Sequence, residues 1–133
     1  MRVFLDTNVL VSAFTTRGLC EDVLREVLAS RDLIVSAPLL EELDRVLRTK
    51  FKIPKNLVSG ILGFLGEDTI LAKVGELPNV QIKDRSDLPL LACALDGKAE
   101  VFVTGDRELI DLKSLGDLEI LSPRGFWEKL RKN

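Results

Sequence analysis

The alternation of short apolar segments with amphipathic segments is the feature that most constrains how this chain folds. Four short, apolar segments are predicted to be strands: 2–5, 33–35, 101–103 and 118–121. Helical spacing of apolar residues predicts helices over 8–14, 19–30, 38–50, 56–66, 87–96, 106–112 and 123–132. Strands that are apolar on both faces and alternate with helices are typical of a parallel sheet covered on both sides. We therefore predict a three-layer α/β/α fold around a central parallel sheet of about four to five strands.

Residues 67–82 are the ambiguous part of the chain. They contain Gly75 and Pro78, which predict only short extended pieces and turns. The sequence shows no composition shift, repeat or low-complexity stretch, and 133 residues is an ordinary length for one domain. We expect residues 1–133 to form a single domain.

Composition removes several classes of chemistry. The chain has no His, which excludes Ser-His-Asp and Cys-His catalysis and His-ligated zinc or haem. Cys20 and Cys93 lie far apart and form no CxxC pair, so structural zinc and thioredoxin-like chemistry are not expected. Asp6 interrupts the apolar N-terminus, and no segment has the length and apolarity of a membrane span. We therefore expect a cytoplasmic protein without a membrane segment.

Polar residues follow the predicted strands where each strand ends. Asp6 and Asn8 follow the first strand, and Thr104 and Asp106 follow the third. A further acid, Asp87, precedes the helix that leads into the third strand. Ligands of open parallel sheets bind beyond the carboxyl ends of the strands, so this edge is where a functional site is expected.

The helix that follows the second strand carries three acids. Its apolar residues place Glu41 nearly opposite the buried face, whereas Glu42 and Asp44 flank that face on opposite sides. Glu42 lies one turn after the strand end, where it can face a cleft. The spacing favours Glu42 over Glu41 as a site residue, and favours it only weakly over Asp44.

Each of these polar residues also has a structural interpretation. Asp87 and Asp106 stand at helix starts, where Asp is a common N-cap, and Asn8 and Thr104 are typical turn and capping residues. Asp6 is harder to explain in this way, because a charge buried at the end of a central strand is costly unless it is paired or metal-bound. Clustered carboxylates repel one another and either take up protons or bind a hard cation.

Four segments, in this order, resemble the motifs of the PIN-domain family. They are residues 1–13 (MRVFLDTNVLVSA), 36–47 (SAPLLEELDRVL), 84–95 (DRSDLPLLACAL) and 99–106 (AEVFVTGD). The last segment is the most specific, and the resemblance covers nearly the whole chain. It is strongest to compact prokaryotic PIN proteins classed as VapC-like toxins of toxin–antitoxin pairs. One departure is that Asp87 is followed by Leu88 and Pro89 rather than by further Asp residues.

The resemblance implies a site and an activity. It places the family's acidic, catalytic and metal-binding positions on Asp6, Glu42, Asp87 and Asp106. Its supporting polar positions fall on Asn8 and Thr104, with Asp84 at a position that is frequently acidic. The family is associated with Mg²⁺- or Mn²⁺-dependent cleavage of single-stranded RNA, and oxygen ligands suit those ions. It also implies an antitoxin partner and a homodimer or higher oligomer.

A run of basic residues is a candidate for contact with RNA phosphates. It contains no acid and follows Glu42 along the chain; its members are Arg45, Arg48, Lys50, Lys52 and Lys55. A solvated surface explains such a run equally well.

Two alternative functions stay open at the level of sequence. The first is a non-catalytic RNA- or protein-binding module on the same fold. The second is a phosphatase or phosphoreceiver, which Asn8 disfavours, because a haloacid-dehalogenase-type phosphatase needs an acid at that position.

Overall fold

The computed structural model of the chain describes residues 1–132 and places its strands in one six-stranded sheet. The strands are β1 (Arg2–Leu5), β2 (Asp32–Ser36), β3 (Ile70–Ala72), β4 (Val101–Val103), β5 (Ser114–Leu115) and β6 (Leu118–Leu121). Their order across the sheet is β3-β2-β1-β4-β6-β5, and all neighbours are parallel except β5 and β6. The predicted α/β architecture with a parallel sheet flanked by helices is confirmed.

Seven α-helices of the described chain connect and follow the strands. They are α1 (Thr7–Thr15), α2 (Leu19–Ser30), α3 (Ala37–Thr49), α4 (Lys55–Leu65), α5 (Leu88–Asp96), α6 (Arg107–Leu112) and α7 (Pro123–Arg131). Ser36 and Ser122 accept hydrogen bonds from backbone amides in the first turns of α3 and α7, and a proline follows each cap within two residues. These are the helix-start signals that the sequence carries. Among residues 1–132, no helix has both the length and the apolar character needed to cross a membrane.

The sheet has more strands than the sequence predicts. The edge strand β3 lies in the ambiguous part of the chain and has only three residues, too few to show a period. The other addition, β5, pairs with β6 through a two-residue turn at Gly116 and Asp117, and Gly116 has a φ of 57°. A Gly with positive φ between two paired residues is typical of a tight hairpin, and Gly116 is the turn signal that the sequence carries at this place.

The middle of the sheet fixes the place of the functional residues. β1 and β4 are adjacent, with Leu5 opposite Val103, and the rings of Phe4 and Phe102 stack at a centroid distance of 5.3 Å. Both strands are fully buried apart from Arg2 at the start of β1. Because the two strands are parallel and end in register, the residues that follow them emerge side by side at one edge of the sheet.

Candidate functional site

A cavity of about 470 Å³ lies at the carboxyl edge of the sheet. Four acids from four separate segments line it: Asp6, Glu42, Asp87 and Asp106. Asp6 follows β1, Glu42 lies on α3, Asp87 precedes α5 and Asp106 precedes α6. The structure therefore brings together the four acids that sequence reasoning selected, at the edge where an open parallel sheet binds its ligands.

Asp6 is the most enclosed of these acids, with only 4% of its surface exposed. Its backbone N–H donates to the carbonyl of Val103 (2.9 Å), which extends the pairing of β1 and β4 by one residue. One carboxylate oxygen, Oδ1, accepts from the N–H of Thr7 (2.8 Å), so Asp6 also caps α1. The other, Oδ2, accepts from the hydroxyl of Thr104 (2.7 Å). The carboxylate is thus held in one orientation at the end of the central strand.

Thr104 links two of the acids. Its fully buried hydroxyl donates to Asp6 and accepts from the backbone N–H of Asp106 (3.0 Å). Asn8 supports the same loop, because its side-chain oxygen accepts from the N–H of Gly105 (3.3 Å). The two polar residues that the sequence suggested as supporting groups therefore join the ends of β1 and β4.

Asp106 combines the two interpretations that the sequence left open. Its Oδ1 accepts from the N–H of Glu108 (2.9 Å), so it caps α6, and it also lines the cavity. For Asp87 the capping interpretation is wrong, because its side chain makes no capping hydrogen bond to α5. Instead, a 3₁₀ turn at Arg85–Asp87 precedes that helix, and Asp84 caps the turn by accepting from the N–H and hydroxyl of Ser86. Asp84 itself is exposed and does not line the cavity.

The three acids of α3 have different surroundings. Glu42 lines the cavity and is half-buried, whereas Glu41 is exposed to solvent. Asp44 forms a two-point pair with Arg48 one turn further along the helix, at 2.8 and 3.1 Å. Of the three, only Glu42 faces the cavity, as the helical spacing favoured.

The members of the basic run are all exposed, but they have different surroundings. Arg48 is bound to Asp44, and Arg45 lies 3.8 Å from Glu42. Lys52 and Lys55 are exposed and do not line the cavity, whereas Lys50 does. Lys50 is therefore the member of the run that lines the cavity.

Sequence reasoning missed Glu108 as a residue that organises the site. Its backbone N–H donates to Asp106, and its side chain accepts from the N–H of Lys83 (2.8 Å). Glu108 thereby ties the start of α6 to the loop that leads to Asp87. The signal in the sequence was weak, since an acid in the first turn of a helix is common for electrostatic reasons alone.

Sequence reasoning also missed the residues that line the part of the cavity away from the four acids, which we call its far end. Hydroxyl, apolar and aromatic side chains from the C-terminal parts of α1 and α3, and from the residues just after them, line it: Ser12, Thr15, Thr16, Val46 and Phe51. Their spacing is visible in the sequence, but their meeting depends on how α1 packs against α3.

Burial makes two of the acids reluctant to ionise. Removal from solvent raises the pKa of Asp6 from 3.8 to about 6, against the lowering effect of its bonds to Thr104 and Thr7. Burial, together with the charges of Asp6, Asp84 and Asp106, raises the pKa of Asp87 to about 7. Two neighbouring carboxyls with raised pKa values mark a site where negative charge is concentrated and incompletely compensated.

The donor atoms of the site and their arrangement show how well it suits a metal ion. All four acids offer oxygen donors, which Mg²⁺ and Mn²⁺ prefer, and the buried Oδ2 of Asp87 has no hydrogen-bond partner. Within residues 1–132, however, no three acidic or Cys side chains already stand in a ready-made metal-binding arrangement. Repulsion between carboxylates opposes such an arrangement. The residues fit a hard cation in type and in charge, and closing around one requires side-chain movement.

Comparison with known proteins gives a family and two similar folds. A PIN-domain family model matches residues 2–108. The structure of VapBC2 from Rickettsia felis, bound to a DNA fragment from its promoter, contains a chain similar to this one. The TM-score is 0.65 at 18% identity, over 92% of this chain and 98% of that chain. A chain of VapBC-1 from nontypeable Haemophilus influenzae is also similar. Its TM-score is 0.63 at 18% sequence identity, over 93% of this chain and 99% of that chain. No curated protein sequence matches.

Proposed function

Because the chain belongs to the PIN-domain family, we propose that it is a metal-dependent endoribonuclease that hydrolyses single-stranded RNA. The observation that carries the proposal is the meeting of Asp6, Glu42, Asp87 and Asp106 in one cavity at the carboxyl edge of the sheet. A pure binding module has no need to gather four mutually repelling acids in one place. The cofactor we propose is Mg²⁺ or Mn²⁺, the ions that oxygen ligands suit.

Three of the acids are proposed as the principal metal ligands. Asp6 is held by Thr7 and Thr104, which fixes the direction of its remaining lone pairs. Asp87 contributes the buried oxygen that has no partner, and Asp106 is held against α6 by its capping bond. A bound divalent cation would supply positive charge to stabilise the developing charge on the attacked phosphate and would lower the pKa of water.

The remaining acid, Glu42, is proposed to bind the metal or to orient the attacking water. It projects from α3 rather than from a strand end, so it approaches the cavity from a different side than Asp6. Asn8, Thr104 and Glu108 act as positioning residues, because each fixes a backbone amide of the loops that carry the acids. Attack by water on RNA would leave a 5′-phosphate and a 3′-hydroxyl.

The proposal includes the cellular setting. The two similar structures are of VapBC complexes, which supports a toxin role for this chain with an antitoxin protein as partner. We further propose a homodimer or higher oligomer in the cytoplasm. Light scattering on the purified protein, alone and with a co-expressed antitoxin, would measure both assemblies; a strictly monomeric chain contradicts the oligomer.

The decisive test of the activity is cleavage of a labelled single-stranded RNA by the purified protein. With Mg²⁺ or Mn²⁺ we expect cleavage, no cleavage in a chelator, and a loss of at least about 100-fold in Asp6→Asn. Glu41→Gln is the matched control, because Glu41 lies on the same helix as Glu42 but is exposed to solvent. Metal binding without cleavage of any RNA would instead favour the non-catalytic RNA- or protein-binding module.

A further inference from the structure

The cavity extends well beyond the four acids. Along α1 and its two caps the lining runs from Asp6 to Thr16, and along α3 and its C-cap it runs from Glu42 to Lys50. At 1.5 Å per residue these stretches span about 15 Å and about 12 Å along the helix axes. Its volume of about 470 Å³ lies in the usual range for ligand sites, about 300–1,000 Å³. This is more room than a metal ion and one phosphate need.

The far end of the cavity has the opposite electrostatic character from the acidic end. It carries Lys50 and Phe51, and no acid lines it beyond Glu42. Within residues 1–132, Lys50 forms no ion pair, whereas Arg45 and Arg48 of the same run each pair with an acid of α3. Phe51 is 46% exposed and lines the cavity, so part of its ring is open to a ligand there. A free cation beside an exposed aromatic ring is the combination that binds single-stranded nucleic acid.

The α1 wall opposite them offers hydrogen-bond acceptors. The hydroxyl of Thr15 donates to the carbonyl of Val11 (2.7 Å), and that of Thr16 donates to the carbonyl of Ser12 (2.8 Å). With its proton engaged, the Thr15 oxygen can only accept from a ligand. The Thr16 oxygen also accepts from the Ser12 hydroxyl (3.2 Å), which leaves it one further lone pair. A phosphate, which only accepts, gains nothing there, whereas the 2′-hydroxyl of a ribose or an amino group of a base can donate. The wall thus favours a sugar or base and leaves the phosphate to Lys50.

We propose that this end of the cavity is a nucleotide subsite for single-stranded RNA, in which a base stacks on Phe51 and Lys50 pairs with an adjacent phosphate. The subsite adjoins the acids, so the stacked nucleotide neighbours the bond that is cut. The inference rests on the proposed ribonuclease function and adds to it the residues that hold the strand in place. A peptide segment of a protein partner is the competing occupant, and the test separates the two.

The chain offers a direct optical test, because it has a single Trp, Trp127 on α7, which does not line the cavity. The reporter combines Phe51→Trp with Trp127→Phe, and a stacked base quenches indole fluorescence. The control combines Phe64→Trp with Trp127→Phe, since Phe64 is 50% exposed on α4, outside this cavity. The probe is a phosphorothioate-linked single-stranded RNA with Mn²⁺. We expect saturable quenching in the reporter alone.

Kinetics provide the second measurement. Phe51→Ala should raise KM for RNA by about 5-fold to 100-fold, the range expected for a lost stacked base, with kcat and Mn²⁺ affinity unchanged. Lys50→Gln should make the slope of log RNA affinity against log salt concentration less steep by about 1, the value expected for one lost phosphate contact. Phe64→Ala and Lys98→Gln are the controls, because both residues are exposed and lie outside the cavity, and these variants should leave the values unchanged.

The results can separate the proposed ribonuclease function from the proposed nucleotide subsite. If the wild type cleaves RNA but Phe51→Ala leaves KM unchanged and the reporter is not quenched, the subsite is wrong and the ribonuclease stands. If RNA quenches the reporter but no metal supports cleavage, the subsite stands and the ribonuclease is wrong. If Phe51→Ala weakens only the binding of a protein partner, the cavity end is a peptide site and the proposal is overturned.

Discussion

The two ends of the cavity are built in different ways. Two acids of the acidic end, Asp6 and Asp106, follow buried parallel strands, and their side chains are held by hydrogen bonds such as the one from Thr104 to Asp6. The far end is made by the helices α1 and α3 and by Phe51, which is half exposed. The proposed chemistry therefore lies at hydrogen-bonded strand ends and loops, and the proposed recognition lies on the surface of two packed helices.

The largest expected difference between the ends is in pH dependence, because the pKa of Asp6 is raised to about 6 by burial. The folded protein therefore holds a proton that the unfolded chain, with an Asp pKa of 3.8, has already released. In the metal-free protein, protonated Asp6 therefore contributes stability that is fully present below about pH 4. This contribution is lost as the pH rises through about 6. A shift of this size corresponds to about 3 kcal/mol for a buried group. Asp87 adds less, because it is half-buried and partly screened.

This dependence can be isolated with Asp6→Asn, which does not titrate. In urea unfolding between pH 4 and pH 7, the stability of the variant relative to the wild type should rise by about 3 kcal/mol. Added Mn²⁺ should stabilise the wild type most at the higher pH. The free energy of unfolding of Lys50→Gln, a variant at the far end, should change with pH in the same way as that of the wild type. Parallel curves for Asp6→Asn would contradict the raised pKa.

The next largest effect is expected for Thr104→Val, which keeps the shape of the side chain and removes its hydroxyl. Asp6 loses a donor and the N–H of Asp106 loses an acceptor in a fully buried place. We expect a loss of about 1–3 kcal/mol in stability and of about 10-fold to 100-fold in cleavage. Thr49→Val is the matched control, because its hydroxyl is exposed, bonds within its own helix and lies outside the cavity. Equal losses in both variants would refute the positioning role.

Substitution of Glu108 should reduce cleavage less than substitution of Thr104, and it should lower kcat without lowering stability. Glu108→Ala breaks the link between α6 and Lys83, so we expect kcat to fall by about 10-fold while KM for RNA stays the same. Glu108→Gln keeps an oxygen acceptor for the N–H of Lys83 and should restore most of the activity. A purely structural role would show as lost stability with no change in kcat for the remaining folded protein, and would remove Glu108 from the acidic end.

The smallest effect is expected for the pair of Asp44 and Arg48. Both side chains lie on the solvent side of α3 and bind each other one turn apart. Arg48→Gln should change stability very little, because exposed ion pairs contribute little, and it should leave RNA affinity unchanged. A salt-dependent loss of RNA affinity in this variant would show that the basic run extends the far end of the cavity.

The acidic end could be predicted from sequence to a large extent. Asp6 ends a strand too apolar to be exposed, and the helical period separates Glu42 from Glu41. The bridging role of Thr104 could not be predicted, because it depends on the register that sets Leu5 against Val103. The far end was missed for a similar reason, since the meeting of Thr16 and Phe51 depends on how two helices pack.

The central claim is that the acidic end binds a divalent cation, and calorimetric titration of Mn²⁺ into the metal-free protein tests it most directly. We predict saturable binding that weakens by at least about 10-fold in Asp6→Asn and is unchanged in Glu41→Gln. Binding should also weaken as the pH falls below 6, because protons compete for Asp6 and Asp87, whose pKa values are about 6 and about 7. Equal Mn²⁺ affinity of the wild type and Asp6→Asn would contradict the claim.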